Sequence, residues 1–153
     1  LGALTGVPDR AEALAAGYEA RLARVAGDAP ATRPRVYVEE WDAPRIAGIG
    51  WVSELVVVAG GTDVFAHRAR APDAQGRIVT DAEVIAAAPE VIVASWCGKR
   101  VRPERIAARP GWEAVPAVRA GRIHEVKSPL ILAPGPAALT DGLDALHAAI
   151  GRA

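Results

Sequence analysis

The stretch EVIVAS at residues 90–95 constrains the fold of this chain more than any other segment. Its apolar residues follow one another without the polar alternation of a strand that has one face in water. A continuous apolar run of this kind is typical of a strand buried on both faces, as in a parallel sheet covered by helices. We therefore predict that 90–95 is a strand of an α/β sheet.

The segments on either side alternate between strand and helix patterns. Further strands are predicted over 35–41 and 122–127, with a short extended piece near 63–66. The predicted helices cover 49–61, 80–89, 102–118 (one or two short helices) and 134–151, the last starting after two prolines, and the predicted loops cover 43–48 and 67–77. This order predicts a mostly parallel sheet with helices on both faces, in which ligands bind beyond the carboxyl ends of the strands.

A long helix precedes this alternating region. Apolar residues recur at helical spacing over 8–27, and Gly27 suits the end of the helix. Asp9 and Glu12 have the spacing of a capping box at its start. The proline-rich connector 28–35 that follows is the best candidate for a domain boundary.

Composition excludes several classes of protein. The 18 basic residues balance the 18 acidic ones, which argues against binding to nucleic acid. A single cysteine excludes a disulfide framework and a multi-cysteine zinc site, and Cys97 with the scattered histidines has no recognisable metal-ligand spacing. No apolar run reaches the roughly 18 residues of a membrane-spanning helix. A chain that opens LGALTG without methionine is interpreted as a processed or truncated product, so we expect any export signal to lie outside it.

Large side chains cluster where the predicted strands end. Strand 35–41 ends in Trp41, strand 90–95 leads into Trp96 and Cys97, and strand 122–127 leads into Ser128, Pro129 and Leu130. Trp51, in the first turn of the next helix, is expected to join them. Rigid aromatic faces around a few polar groups suit a bulky, partly flat small molecule. The alternative for each tryptophan is that it packs in the core or covers a loop.

Cys97 raises the alternative of an enzyme with a thiol nucleophile. A phosphatase loop would need arginine at position 103, where the chain has Pro103, and Arg102 falls one residue short. A cysteine–histidine pair would need a nearby imidazole with an orienting partner, and none is visible for His67, His124 or His147. We therefore assign no catalytic residue and expect Cys97 to pack in a loop that faces the ligand site.

The remaining charged residues carry weaker predictions. Thr80 and Glu83 have capping-box spacing at the start of the helix 80–89. Glu39 and Glu40 should point to opposite faces of their strand. Four further side chains are expected on solvated faces, namely Arg105, Arg109, Asp141 and Asp144.

Five segments together resemble the C-terminal lobe of the cobalamin/Fe(III)-siderophore class of periplasmic substrate-binding proteins, and more narrowly the cobalamin-binding subgroup of these ABC-transporter components. The resemblance extends over about 115 residues and is carried by VYVEEWD (36–42), GWVSELVVVAGGTDVF (50–65), VTDAEVIAAAPEVIVASWCGK (79–99), RPGWEAVPAVRAGRIHEV (109–126) and PGPAALTDGLDAL (134–146). It implies a Rossmann-like, three-layer α/β lobe preceded by a long connecting helix.

The resemblance also implies how the chain is organised. Residues 1–34 would be the helix and linker between two lobes, and 35–153 the C-terminal lobe, with the N-terminal lobe absent from this chain. A lone lobe would leave apolar surface that self-association or a partner chain would cover. The protein would be periplasmic, or extracytoplasmic and membrane-anchored.

The implied function is transport without chemistry. The lobe would bind cobalamin or another corrinoid for an ABC importer and would need no cofactor of its own; the related alternative is a ferric siderophore or haem. Trp41, the loop 42–48, the Trp96–Cys97 loop and the loop 128–133 would face the ligand. Glu83, or else Asp81, would dock onto basic residues of the membrane permease, although Glu83 is also explained by its capping box.

Overall fold

The computed structural model describes residues 2–151, and within that part no helix is long and apolar enough to cross a membrane. The strands are β1 (Arg35–Asp42), β2 (Arg45–Ala47), β3 (Thr62–Asp63), β4 (Val91–Ala94) and β5 (Ile123–Glu125). The α-helices are α1 (Pro8–Gly27), α2 (Gly50–Val58), α3 (Asp81–Ala87), α4 (Pro103–Ala107), α5 (Pro116–Arg119), α6 (Ser128–Ile131) and α7 (Asp141–Gly151). Short 3₁₀ turns lie at Gln75–Arg77, Trp112–Ala114 and Pro136–Leu139.

The strands form one mostly parallel sheet. Its order is β2-β1-β4-β5, and β3 pairs with the beginning of β1 beside β2. β1 runs parallel to β3 and β4, and β4 runs parallel to β5. All four residues of β4 are buried, as the apolar run predicts for a strand between two others.

The predicted loop 43–48 is wrong, because it contains β2. The chain turns back after Asp42 and pairs antiparallel with β1, so that Trp41 lies opposite Ile46 and Asp42 opposite Arg45. A strand of three residues is too short to produce a readable periodicity. This hairpin lengthens the end of the sheet that carries Trp41.

Helices cover both faces of the sheet, which confirms the three-layer prediction. Alternate residues of a strand point to opposite faces, so Val36 and Val38 enter one core while Tyr37 enters the other. The first core is completed by α2, α7 and the end of α1. The second core is completed by α3, α4 and the Trp112 turn.

The predicted range of α1 is correct, but its predicted capping box and the predicted start of the last helix are wrong. α1 begins at Pro8 with Val7 as N-cap and no side-chain capping bond, so Asp9 lies inside the first turn instead of capping it. Residues 136–139 form a 3₁₀ turn, and α7 begins only at Asp141. At α3, by contrast, Thr80 and Glu83 form the predicted capping box.

α1 contacts the rest of the fold mainly through its last turns. Val25 is its only buried residue, and Leu14 near the middle of the helix remains 55% exposed. Arg21 forms an ion pair with Asp144 of α7, so Asp144 is held against α1 and is not simply solvated as predicted. The division into 1–34 and 35–153 stays a prediction, and Leu1, Arg152 and Ala153 lie outside the described residues.

Candidate ligand-binding rim

The carboxyl ends of β1, β4 and β5 meet at one edge of the sheet. Their parallel registers place Glu39 beside Ala94 and Ala94 beside Glu125. We define the rim as the residues at and just beyond these ends, namely 41–42, 95–100 and 126–129. The rim is where an open parallel sheet with helices on both faces presents its ligand site.

The ammonium of Lys99 lies near the rings of both rim tryptophans, Trp41 and Trp96. Its ammonium lies 4.1 Å from the ring centroid of Trp41 and 5.2 Å from that of Trp96, and it forms an ion pair with Asp42. An ammonium over an indole face is attracted by the ring quadrupole. The Trp41 indole is half-buried and donates a 3.0 Å hydrogen bond to the carbonyl of Ala43. The rim therefore presents an aromatic face with a cation placed on it.

Trp96 lies mostly beneath the rim surface. Only 4% of it is exposed, and its Nε1 donates a 3.0 Å hydrogen bond to Oε1 of Glu39. The residues after it are exposed, including the free thiol of Cys97. Gly98 turns the loop with φ of +71°, a left-handed conformation that glycine adopts without a steric penalty. In the loop that follows β4, Lys99 and its neighbours are therefore the residues that a ligand can reach.

A cavity of about 310 Å³ lies between the loops that follow β4 and β5. Pro129 lines it, together with Trp96, Gly98, Lys99, Arg100, Glu125, Val126, Lys127 and Ser128. Lys127 donates to Glu125 at 2.7 Å, and this hydrogen bond holds the pKa of the Glu125 carboxyl below its usual range. Lys99 pairs with Asp42 and Lys127 pairs with Glu125, so Arg100 gives the cavity a surplus of one positive charge.

Trp51 and Leu130 do not join this group. Both pack against the core on the opposite face of the sheet from Trp41 and Trp96. The Trp51 Nε1 donates a 2.8 Å hydrogen bond to the carbonyl of Ile131. Trp51 lines a separate apolar cavity of about 420 Å³ between α1, α2 and the Pro136–Leu139 turn. The expectation that Trp51 shares a site with the other two tryptophans is therefore wrong.

A buried ion pair beneath the rim was missed by the sequence reasoning. Glu39 is fully buried, and both its oxygens accept from Arg109, at 2.5 and 2.9 Å. The Tyr37 hydroxyl donates to the same carboxylate at 3.2 Å. Arg109 is only 13% exposed and stacks 4.5 Å over Trp112, so its predicted solvated position is wrong. Seventy residues separate the two partners, and no local pattern joins them.

The ion pair determines the ionisation of the groups around it. Burial lowers the pKa of Arg109, but the hydrogen bonds and charge of Glu39 outweigh it and leave that pKa above its ordinary value. Burial raises the pKa of the Tyr37 hydroxyl well above its usual range, and the charge of Glu39 raises it further. The phenol therefore remains a hydrogen-bond donor to Glu39.

Glu40, the next residue of β1, forms a second charged pair with Arg77. Arg77 donates to both its oxygens, at 2.5 and 3.2 Å, and to the carbonyl of Ala47 at 2.6 Å. Arg77 is buried, so the segment 67–77, predicted to be a flexible loop, is anchored at its end.

The two candidate docking residues both have partners within the chain. Asp81 accepts a 2.7 Å hydrogen bond from Trp112 Nε1 and pairs with Arg45. Glu83 pairs with Arg68, and the Thr80 backbone N–H, 2.8 Å away, holds the pKa of the Glu83 carboxyl below its usual range. Each side chain still has more than a third of its surface exposed. Permease docking stays a prediction.

Within residues 2–151, no group of three or more histidine, cysteine, aspartate or glutamate side chains could hold a metal ion. The geometry instead describes an α/β lobe that carries an aromatic and basic rim at the carboxyl edge of its sheet. In open α/β sheets this edge is where ligands bind.

The chain belongs to the periplasmic binding protein family, whose model matches residues 1–130. This confirms the resemblance to periplasmic substrate-binding proteins, while the cobalamin-binding subgroup stays a prediction. The family consists of binding proteins, so the prediction that the chain is not an enzyme is also confirmed. No curated protein matches this chain significantly.

Solved structures agree with this assignment. The apo form of the periplasmic haem-binding protein RhuT from Roseiflexus sp. RS-1 is 25% identical, with a TM-score of 0.72 over 97% of this chain and 60% of that one. An ABC-type Fe3+-hydroxamate transport system from Saccharomonospora viridis DSM 43017 is 27% identical, with a TM-score of 0.75 over 98% of this chain and 52% of that one. A periplasmic binding protein from Veillonella parvula DSM 2008, 23% identical, shares the fold with a TM-score of 0.80 over 99% of this chain and 54% of its own. This chain thus spans between half and three-fifths of these structures.

Proposed function

We propose that this chain is the C-terminal lobe of the solute-binding component of an ABC importer, and that it binds cobalamin or another corrinoid. Membership in the periplasmic binding protein family supports binding and an extracytoplasmic location. The observation that carries the proposal is the Trp41 indole at the carboxyl edge of the sheet, with Lys99 placed on it. The lobe binds without chemistry and delivers its ligand to a membrane permease.

The corrinoid assignment rests on the sequence resemblance and on the shape of the rim. A corrin is a broad, partly flat ring fringed with amide groups, which suits an aromatic face bordered by hydrogen-bond donors. Lys99 and Ser128 lie at that border.

A ferric chelate or haem is the second candidate. Lys99, Arg100 and Lys127 line one cavity, and the pairs with Asp42 and Glu125 leave one positive charge unbalanced, which favours a ligand with carboxylates. The RhuT structure is that of a haem-binding protein, and the Saccharomonospora structure is that of an Fe3+-hydroxamate transport system.

Titration with three coloured probes distinguishes these ligands. Cyanocobalamin, haemin and a ferric hydroxamate are each added to the protein while visible absorbance and tryptophan fluorescence are recorded. The corrinoid assignment requires saturable quenching with cyanocobalamin at lower concentration than with the other two. If haemin or the ferric hydroxamate binds more tightly, the corrinoid assignment is wrong and the second candidate is favoured. If none of the three binds, the proposal is refuted.

Two matched variants locate the site. Trp41→Phe reduces the stacking area at the rim. The affinity for the probe should fall several-fold, equivalent to roughly 0.5–1.5 kcal/mol of binding free energy. Trp51→Phe makes the same change on the opposite face of the sheet, so the affinity should stay as in the parent protein. Equal losses in the two variants would contradict the placement of the ligand on the rim.

We also propose that the start of α3 faces the permease through Glu83, with Asp81 second. Support comes from the resemblance and from the exposed part of the Glu83 carboxylate, although Arg68 and Thr80 already bind it. Glu83→Gln keeps the capping acceptor and removes the charge, so it should reduce uptake by the assembled transporter while ligand binding is preserved. Unchanged uptake in both Glu83→Gln and Asp81→Asn would remove α3 from the docking surface.

We further propose that residues 1–34 connect this lobe to a preceding one. The exposure of Leu14 and the apolar cavity beside α1 support a missing neighbour on this side. Isolated chains would cover this surface by self-association. Analytical ultracentrifugation should therefore detect oligomers that Leu14→Glu reduces; a monomer at all concentrations would contradict self-association.

A further inference from the structure

We propose that Glu39 is the positioning residue of the rim: through Trp96 it anchors the loop 95–100 in the conformation that places Lys99 over Trp41. The inference takes the rim as the ligand site and in that respect rests on the proposed function. The anchoring itself is a property of the fold and can be measured without any ligand.

Glu39 accepts two hydrogen bonds from this loop. Its backbone carbonyl accepts a 2.8 Å hydrogen bond from the N–H of Ser95, the first residue after β4. Its carboxylate accepts the 3.0 Å bond from the Trp96 indole. Beyond Trp96 the loop residues Cys97 to Arg100 are exposed. Trp96 is therefore the last buried anchor before Lys99.

Arg109 holds the carboxylate of Glu39 in turn. Its two nitrogens bind both oxygens in a fork, which specifies the orientation of the carboxylate and not merely its position. Arg109 is itself stacked on Trp112, whose indole is hydrogen-bonded to Asp81. Burying two charges is expensive, and an apolar pair of similar volume would fill the same space. What an apolar pair would lack is a directed acceptor for the Trp96 N–H.

Lys99 lies three residues after Trp96, and its contact with Trp41 depends on where the loop leaves the buried anchor. Loss of the Trp96–Glu39 bond should free the loop and separate Lys99 from Trp41. The exposed face of Trp41 and the charge of the cavity would then change together, so ligand affinity should fall although Glu39 itself is fully buried.

The single cysteine of the chain provides a direct test. Cys97 is exposed, adjacent to Trp96 and unique, so a nitroxide attached to it reports the mobility of this loop. Trp96→Phe removes the indole donor together with part of the ring, and Glu39→Gln removes the charge at nearly constant size. Trp96→Phe should shift the electron paramagnetic resonance spectrum of the label towards its mobile component, and Glu39→Gln should do so to a smaller extent because its amide oxygen can still accept from Trp96.

Tyr37→Phe is the matched control. It removes another hydrogen bond to the same carboxylate, at Oε2, without touching Trp96. The label should keep the spectrum of the parent protein in this variant. Identical spectra in Trp96→Phe and Tyr37→Phe would overturn the proposal, because Glu39 would then be structural only. Should Glu39→Gln fail to fold, Trp96→Phe decides the question alone.

Titration with cyanocobalamin and haemin separates this inference from the proposed function. Whichever probe binds the unlabelled parent protein should bind Trp96→Phe more weakly and Tyr37→Phe equally well. A mobile loop with unchanged affinity would refute the positioning role. If neither probe binds the parent protein, the proposed function fails, and the label spectra still establish or refute the anchoring by Glu39.

Discussion

Replacing Arg109 by methionine should destabilise this protein far more than the loss of an ordinary surface ion pair. Methionine keeps an apolar side chain against Trp112 but removes both hydrogen bonds to Glu39. The carboxylate stays fully buried, with only Tyr37 and Trp96 left to donate to it. The change therefore leaves a charge without a counter-charge inside the fold.

Removal of one partner from a buried ion pair costs about 3–5 kcal/mol. The complete burial of Glu39 places Arg109→Met within that range, because solvent cannot reach the carboxylate to replace the lost donors. A domain of this size loses roughly 2–4 °C of melting temperature per kcal/mol. We therefore expect a decrease of roughly 6–20 °C.

Urea unfolding of four proteins measures this effect: the parent, Arg109→Met, Glu39→Gln and the double variant. The double variant should lose less unfolding free energy than the two single variants lose together, by about 0.5–3 kcal/mol, because it removes both charges. Lys127→Met is the control; Lys127 pairs with Glu125 but is 61% exposed, so its loss should cost less than about 1 kcal/mol. Equal costs for Arg109→Met and Lys127→Met would refute the reasoning from burial.

Three further perturbations test other parts of the fold. Thr80→Ala removes the N-cap of α3 and should cost about 0.5–2 kcal/mol in urea unfolding, whereas Thr80→Ser keeps the hydroxyl and should cost less. Burial raises the pKa of Asp63, so the native state binds the proton more tightly than the unfolded state does; stability should fall as pH rises from about 3.9 through the raised pKa. Asp63→Asn should remove that part of the pH dependence of the melting temperature, and an unaltered profile would exclude Asp63 as its source. Gly61→Ala would place a Cβ 2.7 Å from Val36 Cγ2 and should cost about 1–3 kcal/mol, whereas Gly17→Ala, in the open middle of α1, should stabilise the protein by roughly 0.5–1 kcal/mol.

Features carried by neighbouring residues could be predicted from the sequence. β4 is recognisable because its apolar run is uninterrupted, and the α3 start because Thr80 and Glu83 stand three residues apart. The start of α1 shows the limit of this reasoning. Asp9 and Glu12 have capping-box spacing too, but Pro8 is already the first helical residue, so Asp9 has no free helix end to cap.

The candidate site could be predicted only in part. Trp41 and Trp96 were grouped correctly because parallel strands bring their carboxyl ends to one edge. Trp51 was misplaced because proximity to that edge does not say on which face of the sheet a helix packs, and α2 carries Trp51 to the opposite core. The ligand contacts themselves stay a prediction.

The order of residues alone determined the alternation of strands and helices, the parallel sheet and the family, because each of these follows from local periodicity or from ordered segments. Only the tertiary structure decided which charges are buried together. Glu39 and Arg109 read locally as ordinary polar residues, and their pairing arises when β1 and the segment after α4 are packed on the same face of the sheet. Burial then makes a directed ion pair energetically decisive, since a desolvated charge without its partner costs far more than an exposed one.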